Sequence, residues 1–355
     1  MIRYVAVDPG KFGTKFAEFD TKTMKVSKYC LRSKISEGDF RDDAIEKNTF
    51  VVEIDGQVFK VGNGARGDGA SLDTNKRDEM HKHFILTALA LLASSDEKDE
   101  MHVAIGMPAK DWSVVSKRMD YKDFMLPEGD ISIAIKKKGD EGSKKKTFTI
   151  NTRYVYSESI GALFMDETMA DISDMSITGV IDLGNLNLNA TLWQGTEPVH
   201  DKSAVAELGG AILIQELSQE LSANITTCDE MIVANILKMP PEERCLPNSG
   251  VLDAEQIEES KQIIKRVLKS HAEKVMRCCR ARGWSLDVTK IIAIGGTSKD
   301  IETELKEVFK NITVLPNSQY CNVLGYLRLM CSRKNELGKI IPLKTAPADA
   351  DKQKG

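Results

Sequence analysis

The stretch VIDLGNLNLNATLW, residues 180–193, enters as an apolar strand, meets an aspartate, turns on a glycine and leaves as a second strand. Val180 and Ile181 lead in, and Leu188, Ala190 and Leu192 lead out. Between them Gly184 and the amides Asn185, Asn187 and Asn189 tolerate left-handed turn geometry. Taken alone, these residues describe a β-hairpin. They leave open whether Asp182, at the mouth of a buried strand, has a chemical task.

The N-terminus has the same design. Residues 2–8, IRYVAVD, predict a strand ending at Asp8, the turn PGKFGTK follows, and KFAEFD, residues 15–20, predicts the second strand. In both places a glycine, Gly10 or Gly184, stands two positions beyond the acid. No sustained short-period repeat is visible elsewhere, so the pattern reads as a duplicated domain rather than a solenoid. Each hairpin continues into mixed α/β sequence. After the first come VFKVGNGA (58–65), a helix near 81–95, the strand HVAIGMP (102–108) and a helix beginning near Trp112. After the second come a helix opening at LGGAILIQELSQEL (208–221), a helical stretch near 228–238 and a long helix over 254–282. Asp253 with Gln256 resembles a capping box for that last helix, and Gly283 stands where a C-terminal cap belongs. It feeds a buried strand, KIIAIGG (290–296).

With 355 residues, 41% of them hydrophobic, the chain is long enough for two domains. A net charge of -4 supplies no long-range pull towards nucleic acid. The run KKKGDEGSKKK (136–146) reads as a solvated hairpin tip, because Ile131, Ile133 and Ile135 alternate before it and Phe148 and Ile150 after it. Seven cysteines without a C-x-x-C pair favour a reducing, cytoplasmic setting. The sequence goes straight into a strand with no signal-peptide h-region, and FILTALALLA (84–93) is too short to span a bilayer, so it reads as a core helix and no membrane partner is expected. The tail, residues 342–355, has the composition of a disordered end.

Glycine turns at strand ends suit phosphate binding. A backbone without side-chain bulk can bring N–H groups to a phosphate, while a nearby carboxylate holds Mg²⁺ through its water shell. Neither a Walker A loop nor a G-x-G-x-x-G fingerprint occurs. A third glycine turn, IGGTS (294–298), follows a buried strand, where backbone can approach a flat base and ribose.

In this order the segments resemble the actin and heat-shock-chaperone ATPase superfamily. AVDPGKFGTK (6–15) is similar to the first phosphate loop, VYSESIGALF (155–164) to the first connecting helix, and VIDLGNLNLNAT to the second phosphate loop. IIAIGGTSKDI (291–301) is similar to the adenosine motif, and NSQYCNVLGYLRL (317–329) to the second connecting helix. The resemblance covers roughly residues 1 to 335. The S-E-S-I-G-A sequence at 157–162 and the short length look most like ParM-type plasmid-segregating bacterial actins.

That resemblance implies an α/β, actin-like ATPase fold: two duplicated domains with mixed five-stranded sheets around a nucleotide cleft. Domain I would span 1–170 with a C-terminal return at 317–341 and an insertion near 35–78. Domain II would span 171–316 with an insertion near 215–255. The implied function is a filament that assembles with ATP or GTP and Mg²⁺, hydrolyses the nucleotide and falls apart. It would move plasmids through a DNA-binding adaptor, contacting nucleic acid only indirectly. Asp8 and Asp182 would hold the hydrated Mg²⁺. Gly10, Lys11, Phe12, Gly13, Thr14 and Lys15 would line the first phosphate loop, and Gly184, Asn185 and Asn187 the second. Glu158 would position or polarise the attacking water, its plain reading being a helix-start acid favoured by the dipole. Gly295, Gly296 and Thr297 would border the nucleoside. Gly209 and Gly210 would let a helix N-terminus approach phosphate, or simply start a helix.

Lys261, Lys265 and Lys269 read as a solvated helix face, with base or ribose contact as the alternative. Cys278 and Cys279 read as core or surface thiols, and His81 and His83 point to different sides of a helix. The chain departs from the family pattern at Asn187 and Asn189, which reduce charge near the phosphates, and at Pro9, Lys11 and bulky Phe12. The loop LKMPPEERCLPNSG (237–250) and the tip near 136–146 are expected to serve polymer contacts. Two other readings remain: a small-molecule kinase on the same fold, and a nucleotide-binding scaffold without turnover.

Overall fold

The computed structural model describes residues 1–42, 44–67, 76–165, 175–248, 250–287 and 289–332. The tail 342–355 and the expected domain boundary near residue 170 lie outside them. The chain divides into two units, Met1–Glu167 with Tyr320–Gly355, and Thr168–Gln319.

The first unit opens with β1 (Ile2–Pro9), β2 (Gly13–Asp20) and β3 (Lys25–Arg32), followed by β4 (Ile35–Glu37), β5 (Thr49–Ile54) and β6 (Gln57–Gly62). Helix α1 (Glu79–Leu92) leads to β7 (Asp99–Met107), α2 (Ala109–Trp112) and α3 (Val115–Met125). Then come β8 (Asp130–Lys137), β9 (Lys144–Ser157) and the single turn α4 (Ile160–Leu163). Val5, Ala6 and Val7 are fully buried, as a strand covered on both faces requires. Phe84, Ile85 and Leu89 of α1 join Val5, Val7 and Val103 in one core cluster.

The second unit runs β10 (Ile177–Leu183), β11 (Leu188–Gln194), β12 (Glu197–Ala206), α5 (Gly210–Asn224), α6 (Glu230–Leu237) and α7 (Ala254–Ala281). It ends with β13 (Lys290–Ile294), α8 (Gly296–Asp300), α9 (Glu302–Val308) and β14 (Ile312–Val314). Leu213, Leu217 and Leu221 recur every four residues on α5. They share a core cluster with Ile263, Ile264, Val267 and Leu268 of α7, the stripe that a 3.6-residue period places on one face. The capping box on α7 forms in both directions, Asp253 with the Gln256 amide and Gln256 with the Asp253 amide. Gly283 ends the helix at φ 72°. The chain then returns to the first unit as α10 (Cys321–Ser332). There Gly325 crosses α4 so closely that a Cβ on it would fall 2.2 Å from the Gly161 carbonyl oxygen.

The duplication is visible in the strand order. The second sheet runs β12-β11-β10-β13-β14, and the run β3-β2-β1-β7-β9 of the first sheet repeats it. In each, two antiparallel pairings precede two parallel ones. The first sheet is larger than the five strands expected, because β8, β5, β6 and β4 extend it to nine. Strand β9 is 14 residues long, so its first residues pair with β8 and its later ones with β7.

The lysine run also differs from expectation. Its centre is a turn, but Lys136 is 4% exposed and donates from Nζ to the carbonyls of Phe40 at 2.8 Å and Asp42 at 3.3 Å. Lys146 donates to the Ala93 carbonyl and Ser95 hydroxyl. The ends of the run anchor the sheet, and only its middle is a solvated tip.

The four sheet edges are short or charged. Strands β4 and β14 have three residues each. Strand β3 carries Lys25 and Lys28, and β12 exposes Glu197, His200 and Asp201 beside a register shift against β11.

Candidate functional site

In the first hairpin, Asp8 is buried near the end of β1 and lies opposite Lys15 of β2. The Gly10 amide donates to the Asp8 carbonyl at 2.8 Å, closing a tight turn. A Cβ at Gly10 would fall 2.6 Å from the Gly13 carbonyl oxygen and 3.1 Å from Lys15 Nζ. The glycine therefore leaves an open cradle beside a cation. Ser33, beyond β3, braces this loop: its hydroxyl donates to the Gly10 carbonyl at 2.6 Å, lies 3.1 Å from the Thr14 hydroxyl, and its amide donates to the Phe12 carbonyl. Phe12 is half-exposed and stacked against the Arg32 guanidinium, a cation–π contact. Lys11 is half-buried.

Glu158 is held at the junction of β9 and α4. Its amide donates to the Met107 carbonyl at 2.7 Å, and the next amide, that of Ser159, donates to Asn322 Oδ1 of α10 at 3.1 Å. Ser159, the N-cap of α4, takes a left-handed φ of 71°, so Glu158 stands between the end of β9 and the start of the helix. The carboxylate meets a cation that the sequence reading missed: Lys76 Nζ is 2.5 Å from Glu158 Oε1 and 4.0 Å from Asp8 Oδ1. All three side chains are about nine-tenths buried. No local pattern marks Lys76, which follows the β4–β6 insertion and precedes the N-cap Asp78 of α1. Nearby, the Tyr121 hydroxyl donates to the Gly106 carbonyl at 3.1 Å. Burial, reinforced by the charges of Glu158 and Asp8, pushes the Tyr121 phenol well above its usual value.

In the second hairpin, Asp182 lies opposite Asn189, and the Gly184 amide donates to the Asn187 carbonyl at 3.0 Å. Here the backbone braces the loop. The amides of Gly209, Gly210 and Ala211 at the start of α5 donate to the carbonyls of Leu186, Gly184 and Asn185. These helix-start amides hold the loop instead of standing open towards a phosphate. A Cβ at Gly209 would fall 2.4 Å from the Asn185 carbonyl oxygen, and one at Gly210 2.6 Å from Thr297 Oγ1. Thr297 in turn donates its hydroxyl to the Gly184 carbonyl at 2.9 Å.

The third turn thus supports the second. Gly295 has φ 91°, and a Cβ there would lie 2.3 Å from the Leu183 carbonyl oxygen and 2.8 Å from Asp182 Oδ1. Gly296 starts α8, and a Cβ there would meet nothing within 4 Å. Asp182, Gly184, Asn185, Asn187, Gly209, Gly210, Gly295, Gly296 and Thr297 are therefore gathered in the second unit. Asp8, Gly10, Lys11, Phe12, Gly13, Thr14, Lys15 and Glu158 are gathered in the first.

The remaining candidates are structural. Lys261, Lys265 and Lys269 are exposed along α7, with Lys261 paired to Glu258. Cys279 is buried, which pushes its thiol up to about 12, far from a reactive thiolate. His81 Nδ1 lies 2.7 Å from Asp78 Oδ2, while His83 packs on Phe59.

Each hairpin by itself has groups of a kind that suits phosphate and Mg²⁺: a carboxylate near the mouth of its first strand and a glycine turn, with Lys15 beside the first. Among solved structures, the chain superposes on an Alp12 filament with TM-score 0.69 at 21% identity, covering 94% of this chain and 99% of that one. It superposes on a 15-stranded ParM filament from Clostridium botulinum with TM-score 0.65 at 19% identity, covering 92% and 98%. For Ta0583, an archaeal actin homologue in complex with ADP, the values are 0.67 and 17%, covering 92% and 98%. Residues 6–161 match the family described as actin like proteins N terminal domain. The fold is actin-like. No curated protein matches the chain. The five segments singled out in the sequence are the strand ends and junctions of this actin-like fold. Among the described residues, no helix is long and apolar enough to cross a membrane.

Proposed function

We propose that the chain is a nucleotide-dependent, polymerising actin-like protein that binds ATP or GTP with Mg²⁺, forms filaments, hydrolyses the nucleotide and serves plasmid segregation through a DNA-binding adaptor. One observation carries this reading: the same five-strand arrangement occurs twice, each time with an aspartate and a glycine turn at the end of its central strand. The filaments of the Alp12 and ParM neighbours, and the ADP bound by the archaeal one, support it.

Asp8 and Asp182 would supply hard oxygen ligands for Mg²⁺, which when bound neutralises charge on the β- and γ-phosphates. Lys15 and the backbone of Gly10 to Thr14 add positive potential at the first hairpin. Gly184, Asn185 and Asn187 do the same at the second through uncharged groups. Glu158 accepts a hydrogen bond from the attacking water and orients it for in-line displacement. Gly296, where a Cβ would meet nothing within 4 Å, would leave room for the nucleoside, while Gly295 and Thr297 hold that turn against the second hairpin.

The test mixes the purified chain with Mg²⁺ and ATP or GTP and follows light scattering and phosphate release together. Assembly followed by phosphate release is expected, with Glu158→Ala assembling but releasing no phosphate. Nucleotide binding without scattering at any protein concentration would overturn the polymer reading.

A further inference from the structure

Gly295 and Thr297 are taken up by the second hairpin, which leaves Gly296 as the open start of α8. Asp300, four residues on, ends that helix. Residues i and i+4 share a helix face, and each Cα–Cβ bond tilts towards the N-terminus, so the Asp300 side chain leans back over the turn that Gly296 begins. A flat ring lying on the Gly296 backbone meets it within one helical pitch, about 5.4 Å.

Asp300 is half-buried, and among the described residues its carboxylate accepts no hydrogen bond. The charges that favour its ionised form are Arg244 and then Lys238, the C-cap of α6. Arg244 is 6% exposed and fixed by the Leu237 and Met239 carbonyls. Buried Glu304 of α9, four residues further on, also feels Arg244, and its Oε2 accepts no hydrogen bond. A carboxylate partly withdrawn from water without a donor lowers stability. Standing beside an open helix face, it calls for a ligand that brings donors.

The two purines differ in that respect. Guanine presents two neighbouring donors, N1–H and the 2-amino group, which match the two oxygens of one carboxylate. Adenine presents an amino group beside a bare N1 lone pair, and an ionised carboxylate repels that lone pair.

We propose that Asp300 reads the base: its carboxylate accepts the N1–H and 2-amino protons of guanine, so the chain takes guanine nucleotides in preference to adenine ones. This rests on the nucleotide-binding reading above and decides between its two fuels.

The experiment measures calorimetrically how the full chain and its Asp300→Asn variant bind GDP, ADP, inosine diphosphate and xanthosine diphosphate with Mg²⁺, with melting temperature recorded without nucleotide. The wild-type chain should bind GDP about tenfold or more tighter than ADP, and inosine diphosphate, which lacks the 2-amino group, more weakly than GDP. In Asp300→Asn an amide offers one acceptor and one donor. GDP should weaken about tenfold or more, while xanthosine diphosphate, with an oxygen in place of the 2-amino group, should tighten. A site that has merely come apart gains no ligand, and the variant should melt no lower than the wild type. Equal affinity for GDP and ADP in the wild type, or a variant that keeps its GDP preference, would overturn the base assignment and leave nucleotide binding standing. Equal losses of GDP and ADP in the variant would overturn it too, by moving the carboxylate to the sugar or the scaffold. Binding of none of the four would overturn the nucleotide reading and the base assignment together.

Discussion

The two hairpins share a strand, an aspartate and a glycine turn, but they are braced by different means. In the first unit the brace is mostly side-chain: the Ser33 hydroxyl holds the Gly10 carbonyl and contacts Thr14, and Arg32 stacks on Phe12, with one main-chain bond from the Ser33 amide to Phe12. In the second it is mostly main-chain: amides at the start of α5 hold three loop carbonyls and Gly295 lets β13 end directly under Asp182, with one hydroxyl, that of Thr297, on the Gly184 carbonyl. Duplicated domains can therefore keep the position of an acid, and a hydroxyl on the carbonyl of its turn glycine, while replacing much of the rest of the brace. A hydroxyl brace can be lost one hydrogen bond at a time. A backbone brace fails as a unit, because the clash that breaks it displaces main chain.

The sharpest way to break the comparison is Gly295→Ala. It forces a Cβ towards the Leu183 carbonyl and a left-handed backbone onto alanine, and should cost about 3 kcal/mol or more, read as a fall in urea midpoint. A loss under 1 kcal/mol would mean that the second hairpin does not depend on this close approach. Next in size, Asp8→Asn and Asp182→Asn test whether the two acids remain equivalent. Each should slow phosphate release about 100-fold. A large effect from one and none from the other would show that one copy has kept its strand end without its task.

The units also differ in how they treat a buried acid. In the first, burial pushes the Asp99 carboxyl up, but the Ser94 amide and Arg3 outweigh it and hold it below the usual range. In the second, burial pushes Asp300 up to about 6, opposed by Arg244 and Lys238. Folded Asp300 binds its proton more tightly than the unfolded chain does, so its contribution to stability rises as pH falls from above 6 towards 4. Asp300→Asn should therefore stabilise the chain at pH 7.5 by about 1–2 kcal/mol, allowing for its partial exposure, and flatten that slope in chemical denaturation. A variant with the wild-type slope would remove Asp300 as its source. The smallest effect is Ser33→Ala, about 1 kcal/mol, read by denaturation. A loss as large as that of Gly295→Ala would erase the distinction between the two braces.

Much of this was legible in the sequence because it is local. Asp8, Asp182 and their glycines lie within single turns, and Asp253, Gln256 and Gly283 punctuate α7 by short-range hydrogen bonding. What was not legible depends on pairing between distant segments. Strand β8 brings β5 and its neighbours onto the first sheet, which no local pattern announces. Lys136 looks like its exposed neighbours until that pairing buries it. Lys76 reaches Glu158 across 82 residues of sequence. Glu158 was legible as an acid just before a helix, but not the hydrogen bond that the left-handed Ser159 after it makes to Asn322, from the far end of the chain.

The sheet edges have a consequence for solubility. Any chain at high concentration is at risk of one open strand adding to another. Three-residue margins offer too few free amides and carbonyls to template such growth. The lysines of β3 and the acids and shifted register of β12 make the longer margins poor templates. Crowded at high local concentration, such a chain is steered away from the irreversible cross-β route.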